Sequence, residues 1–476
     1  MFLRRYSPFS FFSVIIGIVK TIKGEEKMRR KILSFIIAAN SKRSTESIKR
    51  KGEILRSLFF FAYAVANDLK YRAKYDIIRQ KATEPNLKNV FHYVKKYGKN
   101  DFNELVFSTS DAFTLSALAY AHFERVERDF DEIATVSALW KKYLKSFPNY
   151  AETEDHISED LWKACAESVR FGNVKIGFVR SVKKVEREVQ FAAVTFILDF
   201  GHVTVPVSGQ GATTVAYNDD PTINFVAFRG TDESIIGWKE DLNMTFADEI
   251  PSQHEGKIYI RDVAAKTKGT IMIGGHSKGG NVSIYAAAKA DESVQSRILA
   301  VYNFDGPGFH KDFLDSVGYM RVKDKCTTFV PETSYFGLVF GRKEKCLVVK
   351  SRAIGIFQHD QNKWLMNDRG LIVTDRITGQ SEVARETIYT SLVMLSKTEL
   401  KNFADTVYEI LTADGHTLTR DVVNAKQLLR HIKTYRALDE EKKNFLRKVI
   451  RVVVENRKNV RKKRRSSHLF ITRESK

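Results

Sequence analysis

A serine stands between two glycines in the pattern Gly275-x-Ser277-x-Gly279. This spacing is typical of a nucleophile elbow, a sharp turn that holds a serine hydroxyl clear of the strand before it and the helix after it. The positions two residues away must lack bulk, and glycine meets that need. The helix that begins at such a turn brings N–H groups and the positive end of its dipole to the hydroxyl, where they can stabilise an oxyanion. The spacing therefore predicts acyl transfer to the serine.

Two other kinds of glycine turn compete with this interpretation. A phosphate-binding loop needs a Ser or Thr after its lysine, whereas Lys278 is followed by Gly279. A plain glycine turn in a Rossmann-like unit remains the alternative. The flanking segments favour the elbow, because Thr270–Ile273 is typical of a strand covered on both faces and the alanine-rich run to Ala290 is typical of a helix packed closely on a sheet.

A serine nucleophile needs a general base and an acid that orients it, and hydrolases with this elbow carry them in the chain order serine, acid, histidine. Asp305 meets this order and directly follows the predicted strand Ile298–Phe304, at the strand end where the sites of open α/β sheets form. We predict Asp305 as the acid, with an aspartate that only caps a turn as the alternative. The competing acids are Asp312, Asp315, Glu332 and Asp360.

We predict His359 as the general base, because it follows the predicted strand Cys346–Val349 and lies in a loop. His310 comes too soon after the predicted acid to turn back toward the serine. His276 adjoins Ser277 but is expected to point away from its hydroxyl.

The oxyanion needs two donors. One is predicted to be the backbone N–H of Lys278, the residue after the nucleophile. The other should come from a loop after an earlier strand, and Thr231 fits that place. Arg229 and Asp232 are expected to brace this loop by ion pairing.

Segments of strand type alternate with helical segments, which predicts an α/β fold with a mainly parallel sheet and helices on both faces. The strand-type pattern begins near Val174 and is clearer at 189–200. Further predicted strands are short strands within 203–217, then 223–228, 270–273, 298–304, 346–349 and 371–373. Beyond them, apolar residues three and four positions apart predict helices at 382–395, 397–412, 419–435 and 439–454. We divide the chain into a basic, mostly helical N-terminal extension (1–96), an α/β core (97–375), a helical C-terminal region (376–455) and a basic tail (456–476).

The formal net charge of +21 is concentrated in basic runs toward the ends, at Met28–Lys51 and Arg457–Arg465. Such runs suit acidic partners, and we favour an anionic membrane surface over nucleic acid, with solvated tails as the alternative. The three cysteines show no C-x-x-C spacing, which argues against a disulfide framework and a zinc site and for a reducing compartment. We predict no cofactor and no metal.

The apolar stretch Phe9–Val19 is short for a transmembrane helix but suits a signal-peptide core or an interfacial anchor. Met28, with its own basic and apolar segment after it, offers a second start. We predict a cytoplasmic protein with membrane contact, and export by an N-terminal signal is the alternative.

Five motifs carry a resemblance to known hydrolases: Val226–Thr231, Gly237–Asp241, Gly275–Asn281, Asn303–Phe309 and Gln358–Asp360. The first, with Trp238, Asp241 and the elbow, resembles the class three (fungal-type) lipases. The other four together resemble the bacterial Mbeg-like family, a lipase-related α/β-hydrolase group. The resemblance extends over residues 97–430. It implies an α/β-hydrolase fold, with Ser277 as nucleophile and Thr231 as oxyanion donor.

The sequence departs from the lipase pattern in two places. The stretch Gly201–Thr222 is longer than the family needs, and we expect an extra hairpin there, near the mouth of the site. Class three lipases carry their acid in an Asp-x-Val-Pro motif, whereas Thr328 takes the place of that aspartate here. This difference moves the prediction of the acid to Asp305.

These observations predict a serine hydrolase that cleaves a lipid or other apolar acyl ester. A serine peptidase or amidase would use the same groups and is one alternative. A binding module without catalysis, which keeps the elbow only as scaffold, is the other.

Overall fold

The computed structural model describes residues 89–474, apart from 128, 153–155, 200–201, 207–211, 217–221, 368–369 and 419–424. The predicted N-terminal extension therefore lies outside the described residues up to position 88, and so does its apolar stretch Phe9–Val19. Within the described part of the chain, no helix combines the length and the apolar character needed to cross a bilayer.

Helices and strands alternate along the described chain. The α-helices are α1 Val90–Tyr97, α2 Thr109–Leu118, α3 Val136–Ser146, α4 Ile157–Ala166, α5 Val169–Gly172, α6 Ile235–Asn243, α7 Pro251–Lys266, α8 Lys278–Lys289, α9 Glu292–Arg297, α10 Lys311–Leu314, α11 Val317–Val322, α12 Gly379–Val393, α13 Lys397–Thr412, α14 Ala425–Ala437 and α15 Glu440–Glu474. The strands are β1 Ala134–Thr135, β2 Lys175–Lys184, β3 Val189–Asp199, β4 His202–Pro206, β5 Ala212–Ala216, β6 Thr222–Phe228, β7 Thr270–His276, β8 Ile298–Phe304, β9 Cys326–Pro331, β10 Lys345–Val349, β11 Met366–Asn367, β12 Gly370–Leu371 and β13 Val373–Thr374.

Nine of these described strands form one sheet in the order β1-β2-β3-β6-β7-β8-β9-β10-β13. The five central strands, from β6 to β10, run parallel to one another. The outer strands pair antiparallel. The predicted α/β class, with a parallel sheet at its centre, is confirmed, and the fold is that of an α/β-hydrolase.

Both faces of the central sheet are covered by helices, as the apolar composition of its strands requires. Every residue of β7 is buried. Side chains alternate along a strand, so Met272 joins the core under α2 to α4, whereas Ile271 and Ile273 join the core under α7, α8 and α11. These two apolar cores hold the ends of β7 and β8 in fixed positions.

Two details of the predicted strands are corrected by the structure. β9 was not predicted as a strand, and it pairs with β8 and β10 inside the sheet. The single predicted strand at 371–373 is split, because Leu371 pairs with Met366 in a separate two-stranded sheet and Val373 pairs with Val349 of β10. The expected extra hairpin within 201–222 is confirmed as an antiparallel pair of β4 and β5; its place relative to the site stays a prediction.

The described residues fall into two compact units. One contains residues 89–232 and 248–385, and it holds the sheet together with the site described below. The other contains residues 233–247 and 386–474 and consists of helices with an apolar core of their own around Leu400, Phe403, Leu446 and Val449. α13 begins with a capping box between Ser396 and Glu399, which satisfies backbone N–H groups at its start. All four helices predicted beyond residue 382 are present, although residues 419–424 of the third lie outside the described residues.

Candidate active site

Ser277 occupies a strained turn between β7 and α8. Its backbone has φ 60° and ψ −130°, a conformation that L-residues adopt only when the surrounding structure fixes it. A Cβ atom on Gly279 would lie 2.1 Å from the carbonyl oxygen of Phe228, and one on Gly275 would lie 2.4 Å from the backbone of Gly279. Only glycine fits at either place, as the sequence pattern predicts for an elbow.

The hydroxyl of Ser277 meets the imidazole of His359. Ser277 Oγ lies 2.9 Å from His359 Nε2, and His359 Nδ1 lies 2.7 Å from Asp305 Oδ2. A carboxylate only accepts hydrogen bonds, so Nδ1 carries the proton and Nε2 is left to accept from the serine. The exposed fractions of the three residues are 0% for Ser277, 5% for His359 and 0% for Asp305. The structure thus brings the predicted nucleophile, base and acid into one buried hydrogen-bonded chain.

Asp305 is held from several sides. It follows β8 with φ 56°, which aspartate tolerates better than most residues. Its Oδ1 atom accepts hydrogen bonds from the Ser334 hydroxyl at 2.6 Å and from the Gly337 N–H at 3.2 Å. The Asn281 amide of α8 donates to the carbonyls of Pro307 and Gly308 at 3.1 Å, which fixes the loop that follows Asp305. One oxygen of Asp305 therefore serves the loop and the other serves the histidine.

His359 ends a short 3-10 helix, Gly355–His359. The preceding residue anchors this segment, because the side-chain oxygen of Gln358 accepts from the Thr333 N–H at 2.6 Å and its backbone carbonyl accepts from the Trp364 indole at 2.8 Å. The Phe336 ring lies 4.5 Å from the His359 ring, between centroids. The imidazole is thus supported by packing as well as by its polar partners.

The predicted oxyanion donors lie beside the serine. The N–H of Lys278 is the first of α8, and Thr231 is almost fully buried in the loop after β6. A Cβ atom on the preceding Gly230 would lie 3.1 Å from the Cβ atom of Ser277, so this loop runs directly against Ser277. The loop is tied to α8 through Gln190, whose side-chain oxygen accepts from the Asp232 N–H at 3.2 Å and from Lys278 Nζ at 3.0 Å.

Arg229 and Asp232 brace the loop after β6 by ion pairs, as predicted, and their partners lie elsewhere in the chain. Arg229 pairs with Glu124 at 2.7 Å and Asp232 pairs with Lys183 at 3.0 Å. Burial disfavours the charge of Arg229, but the Glu124 carboxylate raises its pKa above the ordinary value. Arg229 is therefore charged and fixed at the base of the loop.

The competing acids lie apart from the histidine's ring nitrogens. Asp360 caps the next short helix by accepting from the Asn362 N–H at 2.9 Å. Asp315 forms an ion pair with Lys343 at 2.6 Å. Thr328 bonds the buried Glu344 at 2.7 Å and does not take the place of an acid.

The remaining competitors and histidines also have other surroundings. Asp312 is exposed, and Glu332 is half-buried and accepts through its backbone carbonyl from the Thr378 N–H at 2.7 Å. The ring of His310 packs on Phe340 with 4.6 Å between centroids. His276 points away from the serine hydroxyl, as predicted.

Four residues of the site were not found by sequence reasoning: Tyr120, His276 in a contact role, Ser334 and Gly337. Ser334 and Gly337 lie in a loop without periodic pattern, so only the assembled fold reveals their contact with Asp305. The sequence does carry a signal for the contacts of His276. A histidine buried next to the predicted nucleophile needs hydrogen-bond partners, and Tyr120 is one of them.

Comparison with known proteins identifies a family for this chain. A crystal structure of M37 lipase is similar over 49% of this chain and 70% of its own, with 15% identity and a TM-score of 0.29. No curated protein matches the chain. The family model described as Mbeg1-like matches residues 165–409, just over half of the chain. The chain therefore belongs to the Mbeg1-like family.

Proposed function

We propose that the protein is a serine hydrolase that cleaves an apolar acyl ester through an acyl-enzyme on Ser277. One observation carries the proposal: the buried chain in which Ser277 Oγ lies 2.9 Å from His359 Nε2 and His359 Nδ1 lies 2.7 Å from Asp305. Both distances are those of hydrogen bonds. The first is short enough for proton transfer from the serine to its base, and the second allows the acid to orient that base.

In the proposed first step, Ser277 Oγ attacks the ester carbonyl while its proton passes to His359 Nε2. Asp305 stabilises the imidazolium that forms and keeps the ring in the required orientation. The N–H groups of Lys278 and Thr231 donate hydrogen bonds to the carbonyl oxygen as negative charge develops on it. Losing one such donor typically costs about 3 kcal/mol in the transition state.

The tetrahedral intermediate then collapses with loss of the alcohol, to which His359 returns the proton. Water, deprotonated by the same imidazole, attacks the acyl-enzyme and releases the carboxylic acid. Ser277 recovers its proton, so each cycle consumes one water and one ester.

An apolar acyl ester is the proposed substrate class because of the lipase-like motifs around the elbow. The basic run Arg457–Arg465 lies on helix α15, and its exposed residues Lys458, Arg461, Lys462 and Lys463 could hold the protein near an anionic membrane surface that presents such esters. The other basic run, Met28–Lys51, lies outside the described residues. Co-sedimentation with phosphatidylserine vesicles, lost on phosphatidylcholine vesicles or at high salt, would support the membrane partner; equal binding to both would contradict it.

A fluorophosphonate probe tests the proposal directly, because it reacts only with an activated serine. We expect covalent labelling of the wild-type protein and none of Ser277→Ala, with the turnover of short nitrophenyl esters reduced by roughly a millionfold in the variant. Parallel assays with peptide amides separate an esterase from a peptidase. Absence of labelling on a folded wild-type sample, shown by a cooperative thermal transition, would contradict the hydrolase proposal and favour a non-catalytic module.

A further inference from the structure

His276, the residue before the nucleophile, contacts the backbone of the base instead of the serine hydroxyl. Its Nε2 atom lies 2.8 Å from the carbonyl oxygen of His359, and its Nδ1 atom lies 2.9 Å from the hydroxyl of Tyr120. The side chain is buried with 3% exposure, and its ring centroid lies 4.7 Å from that of His359.

These contacts fix the tautomer of His276. A carbonyl oxygen only accepts, so Nε2 carries the proton and donates it. In the neutral ring Nδ1 is then the acceptor, and the Tyr120 hydroxyl donates to it. Burial, and then the neighbouring His359, lower the pKa of His276 well below 6.5, which agrees with a neutral ring at pH 7.

The backbone of His359 has little regular structure to hold it. The residue ends a 3-10 helix of five residues between two short strands, whereas Ser277 and Asp305 follow directly on central strands of the sheet. The hydrogen bond from His276 joins this loop to the end of β7, one residue from the nucleophile. The Tyr120 hydroxyl in turn lies against the loop after β6, since a Cβ atom on Gly230 in that loop would lie 2.2 Å from the hydroxyl.

We infer that His276 and Tyr120 are positioning residues of the reaction: the imidazole of His276, oriented by the Tyr120 hydroxyl, holds the His359 backbone where Nε2 reaches Ser277 Oγ. The inference rests on the proposed hydrolase function and adds residues outside the nucleophile, base and acid. The neutral state of His276 also matters for the reaction. When His359 takes up a proton in the transition state, a neutral neighbour adds no like charge beside it.

The test compares three variants with the wild-type protein in ester hydrolysis. His276→Phe keeps a flat ring but removes both hydrogen bonds, His276→Gln keeps an N–H donor near the Nε2 position, and Tyr120→Phe removes one oxygen atom. A displaced base slows the chemical step, so His276→Phe should lower kcat about a hundredfold with KM within about twofold. His276→Gln should recover at least about a tenth of wild-type kcat, and Tyr120→Phe should lower kcat about three- to tenfold.

Tyr259→Phe is the matched control, because it also removes a buried hydroxyl, one that donates to the Phe178 carbonyl at 2.7 Å away from the triad. It should lower the melting temperature and leave kcat unchanged. If Tyr120→Phe and both His276 variants change kcat no more than this control does, the positioning role is wrong while the hydrolase stands. If His276→Phe does not fold, the comparison of Tyr120→Phe with Tyr259→Phe decides alone.

A second measurement does not depend on activity. Nitrogen NMR of ¹⁵N-histidine-labelled protein at pH 7 should show His276 as a neutral ring protonated at Nε2, with that signal shifted in Tyr120→Phe. A protonated ring, or a neutral ring protonated at Nδ1, would overturn the inference even if the wild-type protein hydrolysed no ester.

Discussion

Replacing Asp305 by asparagine tests which acid serves the base, and the structure gives the size of the effect. Asparagine tolerates the φ of 56° at this position, so the backbone need not change. The amide has one oxygen where the carboxylate has two. If that oxygen stays with the donors Ser334 and Gly337, the NH₂ group faces His359 Nδ1. The imidazole proton must then move from Nδ1 to Nε2, and Nε2 can no longer accept a hydrogen bond from Ser277.

The opposite orientation of the amide keeps the correct tautomer but turns its NH₂ group against the Gly337 N–H. Leaving that buried donor without an acceptor costs about 1–3 kcal/mol. Losing the charged partner of the imidazolium, 2.7 Å away, removes about another 2–3 kcal/mol in the transition state. The sum of about 3–6 kcal/mol corresponds to a loss of about 10²–10⁴-fold in kcat, and the same change in the chymotrypsin-type triad costs about 10⁴-fold.

The assay is the rate of nitrophenyl ester hydrolysis together with the second-order rate of fluorophosphonate labelling. Asp312→Asn, an exposed acid after the same strand, should behave as wild type. Thr328→Ala should lose stability, because Thr328 bonds the buried Glu344, but should keep its activity. A kcat of Asp305→Asn above a tenth of the wild-type value would exclude Asp305 as the acid. A similar loss of activity in folded Thr328→Ala would also contradict this assignment.

Three further predictions concern packing and charge. Gly230→Ala places a Cβ atom 2.2 Å from the Tyr120 hydroxyl. We expect the free energy of unfolding, measured by thermal unfolding, to fall by about 1–3 kcal/mol, together with a lower kcat. Wild-type values for both would contradict this packing. Arg170→Met removes a 2.7 Å ion pair and leaves the Asp111 carboxylate buried without that partner. Urea unfolding should show that the free energy of unfolding falls by about 3–5 kcal/mol. A change below about 1 kcal/mol would refute this role of the ion pair. The pKa of His276 in the folded protein lies well below the ordinary value of 6.5. As the pH falls below 6.5, the unfolded chain therefore binds a proton at this residue that the folded chain does not. The free energy of unfolding should fall from pH 7 to 5 more steeply in wild type than in His276→Gln, and parallel pH profiles would contradict this.

The elbow could be predicted from the sequence because its requirements are local. A buried strand, two glycines around a serine and a helix of small residues lie within one short stretch, and the steric reasons for Gly275 and Gly279 act between neighbours in the chain. Chain order then led to Asp305 and His359, which the structure brings to Ser277. Their catalytic roles remain the proposal made above.

The support around these residues could not be predicted in the same way. Tyr120 meets His276 across 156 positions of sequence, and Ser334 meets Asp305 across 29. Neither contact has a periodic signature, because each depends on how loops close over the sheet. The short segment of β9 gives no strand signal of its own in the sequence, and its strand character depends on pairing with β8 and β10.

The register of the sheet gives a reason why the proposed acid, Asp305, follows β8 and does not lie in β9. His276 pairs with Phe304, so Ser277 and Asp305 are each one residue beyond the same rung of the sheet. Thr328 pairs with Asn303, which pairs with Gly275, and Thr328 is therefore two residues, or about 7 Å, behind the level of Ser277. At that depth its hydroxyl finds Glu344 inside the protein. An aspartate level with the serine and on the adjacent strand can share one imidazole with it, and in this chain Asp305 holds that position.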